Sequence, residues 1–139
     1  MKLNLIDKAF ILKKTLIFGA LDLELLLTIS NHLEIVNHKK SEKIFQSDQQ
    51  SRYTYLIVNG KVLIEDKRGN YLAELDSGEF FGDESLFNEK PRAYEAISKT
   101  PLTLLTLSYS HLISIINECP TVAIALLKAY NQHIDFRKR

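Results

Sequence analysis

Cysteine is nearly absent from this chain: of 139 residues only Cys119 carries a thiol. An internal disulfide is therefore excluded, and a reducing, cytoplasmic setting is expected. Charge of one sign is equally scarce. Lys and Arg number 18 and Asp and Glu number 17, a formal net charge of +1, which gives no support for a nucleic-acid or anionic-membrane surface. Long apolar runs are missing too. None approaches the roughly 18 to 20 residues of a membrane span, and Met1 to Lys14 includes acidic Asp7 and has no small-residue cleavage site. Neither a signal peptide nor membrane insertion is expected. Internal repeats, low-complexity tracts and linkers are absent as well.

What is present describes a globular protein, with 45% apolar and 25% charged residues and a length suited to a single domain over 1–139 with a real core. The spacing of Leu5, Ile6, Ala9, Phe10 and Leu12 predicts a short amphipathic helix ending near Lys13 and Lys14, its lysines solvated. Asp22 is placed to cap a second helix over Leu23 to Asn31. From His32 to Leu107 the period shortens to that of strands. They are expected near Leu33 to His38, Lys43 to Gln46, Tyr53 to Val58, Lys61 to Asp66, Tyr71 to Leu75, Ala93 to Ile97 and Leu102 to Leu107. Asn59-Gly60 is the strongest hairpin signal, since a type I′ turn needs positive φ at both central residues, and Arg68-Gly69-Asn70 makes the next turn. Ser108 or Ser110 can cap a helix over His111 to Glu118. Pro120 suits the first turn of a last helix running to about Phe136, striped by Ala123, Leu126, Leu127, Tyr130 and Ile134. The chain thus divides into N-terminal helices (1–31), a β-region (32–107) and C-terminal helices (108–139).

Chemistry concentrates between Ser77 and Ser98. Gly78 and Gly82 bracket the apolar pair Phe80 and Phe81, and Asp83 to Phe87 is helix-compatible, so Gly82 delivers the chain into a helical start with outward amides. Pro91 then holds the chain extended, and Arg92 offers a fixed fork of donors suited to phosphate. Catalysis has no comparable signal. Cys119 sits at a helix junction without an evident base and reads as structural. His32, His38, His111 and His133 show no H-x-H or H-x3-H spacing and lie on different expected elements. No metal and no bound cofactor are expected, in contrast to the cupin-type barrel enzymes, which gather histidines and a glutamate on neighbouring strands.

The run F-G-D-E-S-L-F-N-E-K-P-R-A resembles the phosphate-binding cassette of the cyclic nucleotide-binding domain family, F-G-E-hydrophobic-small-L followed after a spacer by P-R-[SA]-A. Gly82, Leu86, Pro91, Arg92 and Ala93 match in identity and spacing. Y-L-I-V-N-G-K-V and K-K-S-E-K-I-F resemble two further family motifs, and L-K-K-T-L-I-F-G-A-L-D-L-E-L-L resembles the segment that opens the domain. Ser41, Asp48 and Ser51 depart from it, standing where many members have glycine at turns.

The resemblance implies a mainly β fold: a double-stranded β-helix, or jelly-roll-like barrel, of about eight antiparallel strands with helices at both ends. It implies a non-enzymatic regulatory domain whose ligand is a 3′,5′-cyclic nucleotide, cyclic AMP or cyclic GMP. The phosphate would rest on Gly82, Ser85, Arg92 and Ala93, and the ribose hydroxyl on Asp83, one methylene shorter than the family glutamate. Other roles stay open. Arg92 could instead pair with a carboxylate, Asp83 could cap a helix, Glu84 could be solvated or make up the missing reach, and Tyr94 could crowd or stack on the ligand or pack in the core. Tyr130 is the candidate lid. Expected partners are the nucleotide, an unidentified protein and, as an option, a second copy in a homodimer, without direct nucleic-acid contact. No helix-turn-helix, kinase or channel segment is expected beyond the last helix. The alternative function is an interaction module whose pocket no longer takes a ligand.

Overall fold

The computed structural model describes residues 2–15, 17–86 and 90–132. They fall into two compact units, one spanning 34–109 and the other combining 2–33 with 110 onward.

The helical unit begins with α1, Leu5–Lys13. Asn4 Oδ1 accepts from the Asp7 amide at 2.7 Å and Asp7 Oδ2 accepts from the Asn4 amide at 3.1 Å, so two orphan donors of the first turn are satisfied reciprocally. Only Ala9 and Leu12 of the expected stripe are buried, while Leu5, Ile6 and Phe10 face outward. The lysines are not all solvated: Lys8 Nζ donates to Leu33 O at 2.8 Å and Lys13 Nζ to Leu21 O at 3.1 Å. Helix α2, Leu23–Ser30, has the expected cap, the Leu25 amide donating to Asp22 Oδ1 at 2.9 Å. Helix α3, Tyr109–Glu118, starts directly after the last strand, which places Ser110 inside it rather than at its cap. Helix α4, Thr121–Gln132, buries Val122 and Leu126 and exposes Ile124 and Leu127. Its buried face is thus shifted from the predicted stripe, and Ile134 and Phe136 lie outside the described residues. No single described helix is long and apolar enough to cross a membrane; α3 and α4 pass that test only together, and they are bent by 118° at their junction.

The β unit holds eight strands: β1 Glu34–His38, β2 Lys43–Phe45, β3 Tyr53–Asn59, β4 Val62–Glu65, β5 Tyr71–Leu75, β6 Phe80–Phe81, β7 Glu95–Ser98 and β8 Leu102–Ser108. They pair antiparallel into two four-stranded sheets, β1-β8-β3-β6 and β2-β7-β4-β5. The sheets do not close into a barrel but make a jelly-roll-like roll. Alternation explains the packing: Val62 and Ile64 of β4 and Ala96 of β7 point inward from one sheet, and Ile57, Phe81, Leu102 and Leu104 from the other. With Phe45 they form one core, each large apolar side chain contributing about 1.5 to 3 kcal/mol on burial.

Two expectations change. Asn59-Gly60 does not close a hairpin, because β3 and β4 belong to different sheets. Asn59 does not take positive φ; Gly60 does, at +108°, and a Cβ there would meet Pro101 O at 2.5 Å. It is a corner between sheets. The second change is at the site: β6 has no counterpart among the expected strands, and β7 starts at Glu95 because Ala93 and Tyr94 belong to the loop before it.

Candidate functional site

β6 delivers the chain to Gly82, which sits at φ +74°. A Cβ there would lie 2.8 Å from Arg92 Nη1 and 3.2 Å from Tyr53 O, so glycine is required both by the backbone and by the approach of the arginine. Asp83–Leu86 follows as a single four-residue 3-10 turn, with Phe87 outside the described residues. The expected helical start is therefore too short for an appreciable dipole, and what the turn offers is individual amides.

Arg92 approaches from the other side of the sequence. Its backbone is bracketed by the loop after β2, with the Asp48 amide donating to Arg92 O at 2.7 Å and the Arg92 amide to Gln49 O at 2.9 Å. The residue is 1% exposed. Nη1 donates to Gly82 O at 2.8 Å and Nη2 to Tyr53 O at 2.5 Å, and Glu84 Oε1 stands 3.6 Å from Nη1. The guanidinium lies 4.3 Å from the Phe45 ring centre and 6.0 Å from that of Tyr55, within cation–π range. Phe81 and Tyr94 pack on these rings in turn, with ring centroids in the cluster 5.0 to 6.0 Å apart. Such walls exclude water and strengthen every polar contact inside them.

Tyr94 completes the cluster. The Gly82 amide donates to its hydroxyl at 3.0 Å, and the hydroxyl bonds in turn to the Glu84 carboxylate. Burial first, and the neighbouring Glu84 carboxylate second, push the phenol well above the ordinary tyrosine range. Burial likewise raises Tyr55, with the Arg92 charge opposing. Of the remaining predicted residues, Asp83 is half-buried, the Glu84 side chain is 42% exposed and Ala93 is exposed. Ser85 lies in the 3-10 turn and Tyr130 in α4, both with side chains outside the described residues. The fold thus brings Gly82, Glu84 and Arg92 together. Sequence reading did not assign Phe45, the Tyr53 carbonyl or the loop Asp48-Gln49; carbonyl contacts leave no signature in residue type, and only the I-F of K-I-F marked Phe45 as a motif position.

Beside this cluster, within the same unit, an open cleft of about 320 Å³ is lined by Glu34, Val36, His38, Ile44, Tyr53, Tyr55 and Thr106. Tyr55 belongs to both the cleft and the wall around Arg92. His38 has its Nδ1 buried, 3.7 Å from Glu42 Oε2. Among the described residues no group of three metal-ligating side chains gathers.

The β unit is thus a two-sheet β-roll in which a buried arginine meets a glycine-led turn, and comparison with known proteins says which class of domain this is. The profile of the cyclic nucleotide-binding domain family matches residues 35–119, and the chain belongs to that family. A CRP-like cAMP-activated global transcriptional regulator of Mycobacterium tuberculosis is 25% identical over 122 residues, covering 85% of this chain and 54% of the relative. The chain therefore spans about half the length of the curated relatives it matches. The N-terminal domain of a transcriptional regulator from Streptomyces coelicolor A3(2) superposes with a TM-score of 0.83 at 27% identity, covering 92% of both chains. The catabolite activator protein of Thermus thermophilus gives 0.75 at 25% identity, over 89% of this chain and 60% of that one.

Proposed function

We propose that this domain binds a 3′,5′-cyclic nucleotide, cyclic AMP or cyclic GMP, and serves as a non-enzymatic regulatory sensor. The observation that carries the reading is the convergence of Gly82 and Arg92, ten residues apart in sequence and 2.8 Å apart through Nη1 and the Gly82 carbonyl, the two halves of the family cassette. In this reading the cyclic phosphate takes amides from Gly82 to Ser85 and Ala93 together with the Arg92 guanidinium, a charge-assisted pairing that bidentate arginine suits. Asp83 accepts from the ribose hydroxyl, and the cleft beside Tyr55 supplies volume of the order that small ligands occupy. The mycobacterial relative's name, cAMP-activated, supports the ligand class and the regulatory role.

A ligand-free interaction module is the second reading. It is favoured by one observation: the Gly82 amide and the Arg92 guanidinium already have partners within the chain. Titration calorimetry with cyclic AMP, cyclic GMP and cyclic dinucleotides separates the two. Binding of a mononucleotide is expected, and Asp83→Glu, which restores the longer acid, should tighten it by about tenfold, the worth of one hydrogen bond to a charged group. If neither form takes up any cyclic nucleotide, the interaction module replaces this reading.

A further inference from the structure

Four groups close a hydrogen-bonded and ionic circuit on one glycine. The Gly82 amide donates to Tyr94 Oη at 3.0 Å, Tyr94 bonds to the Glu84 carboxylate, Glu84 Oε1 faces Arg92 Nη1 at 3.6 Å, and Nη1 returns to the Gly82 carbonyl at 2.8 Å. The first and third links bind the donors that an incoming phosphate would need. We infer that Tyr94 and Glu84 together are a built-in surrogate for the ligand, the phenol oxygen occupying the Gly82 amide and the carboxylate occupying the Arg92 charge, so that a cyclic nucleotide binds by displacing them. The inference rests on reading the cassette as the phosphate site, and it adds a specificity-determining pair to that site.

The arrangement is built rather than incidental. The Tyr94 ring is half-buried and packs 5.3 Å from Phe45, the same ring that carries the guanidinium, which fixes its hydroxyl at the amide. The phenol is held neutral by burial and by the Glu84 carboxylate, so it remains an acceptor for the Gly82 amide while donating to the acid. Glu84 supplies the negative charge that a ligand phosphate would otherwise bring. Because Glu84 is the exposed member of the circuit, at 42% of its side chain, it is the link that solvent or ligand can open first. The buried guanidinium keeps its two backbone carbonyls throughout.

Displacement makes each surrogate group a competitor, so removing either should help the ligand. Tyr94→Phe deletes the hydroxyl but keeps the ring against Phe45, and Glu84→Gln deletes the charge but keeps the shape. Calorimetric affinities for cyclic AMP and cyclic GMP should tighten by about two- to tenfold in Tyr94→Phe, the worth of one neutral hydrogen bond, and by at least as much in Glu84→Gln, where an ionic competitor is lost. Melting temperatures and the near-ultraviolet dichroism of each variant verify that the fold is retained. A folded Tyr94→Phe that binds with wild-type or weaker affinity overturns the surrogate while leaving the binding reading intact. If wild type and both variants bind neither nucleotide, the binding reading fails and takes this inference with it.

Discussion

Ser41 and Asp48 stand in left-handed backbone, with φ of 70° and 69°, at two of the turns where the family pattern commonly has glycine. The turns have kept their geometry and changed their residue. Ser41 is held there by its amide, which donates to Ser98 O at 2.7 Å, and Asp48 by its amide to Arg92 O at 2.7 Å. Ser51, the third replaced glycine, is not among the positive-φ residues, so its replacement carries no such strain. A left-handed serine costs roughly 1 to 2 kcal/mol, against the roughly 0.5 to 1 kcal/mol that glycine forfeits in extra unfolded entropy. Ser41→Gly is therefore expected to stabilise the chain by about 0.5 kcal/mol, read as a higher urea midpoint at unchanged slope; an unchanged or lower midpoint contradicts the strain. At Arg92 the sign is opposite and the size larger. Alanine there would leave Gly82 O and Tyr53 O without their donor in the interior and strip the cation from the Phe45 ring, a loss of about 3 to 5 kcal/mol by analogy with a broken buried ionic network. Arg92→Ala should also weaken nucleotide binding by about a hundredfold, but only the part seen in the folded fraction, at a temperature well below its lowered melting point, belongs to the ligand. Affinity left intact in that fraction would place the phosphate elsewhere.

At the scale of elements, the turn between β4 and β5 illustrates how one acid closes a hairpin. Asp66 Oδ1 accepts from the amides of Arg68 and Asn70 at 2.8 and 2.9 Å, and Oδ2 accepts from Asn70 Nδ2 at 3.0 Å. These bonds, that of the Asn70 amide foremost, hold the Asp66 carboxyl below its ordinary value of 3.8. A depressed folded value means the stabilisation is present above the ordinary aspartate value and is lost as pH falls through the lower, folded one. The amide resonances of Arg68 and Asn70 should accordingly titrate with a midpoint below 3.8; a midpoint at or above it means the carboxylate does not hold the turn. This hairpin was legible in the sequence, because Arg68-Gly69-Asn70 encodes its own geometry locally. The Asn59-Gly60 corner was not: a turn signal says that the chain reverses, not which sheet the next strand joins. β6 escaped because two residues cannot show a period. The halves of the cassette were legible from identity and spacing, whereas the contact between Tyr94 and Gly82 was not, since it depends on the loop before β7 folding back over β6.

For the whole molecule the informative quantity is the distribution of charge. The net charge is +1, and on the β unit four lysines face carboxylates: Lys43 lies 2.9 Å from Glu95, Lys61 3.2 Å from Asp76, Lys67 2.7 Å from Asp48, and Lys99 bonds Glu74. Exposed pairs of this kind add little to stability, but each carboxylate cancels the field its lysine would present to a phosphate backbone. Affinity for DNA comes largely from neutralising phosphates and releasing their counterions, with log K falling by about 0.9 per log unit of salt for each phosphate contacted. A near-neutral chain with these four lysines already paired has little of that energy to release. Residues 1–139 alone should therefore give no DNA gel shift at about 150 mM salt, where the screening length is about 8 Å, whether or not cyclic AMP or cyclic GMP is added. A shift that survives there, with a salt slope of several, would show a basic surface that these pairings do not neutralise, and would make the domain itself a contact to nucleic acid.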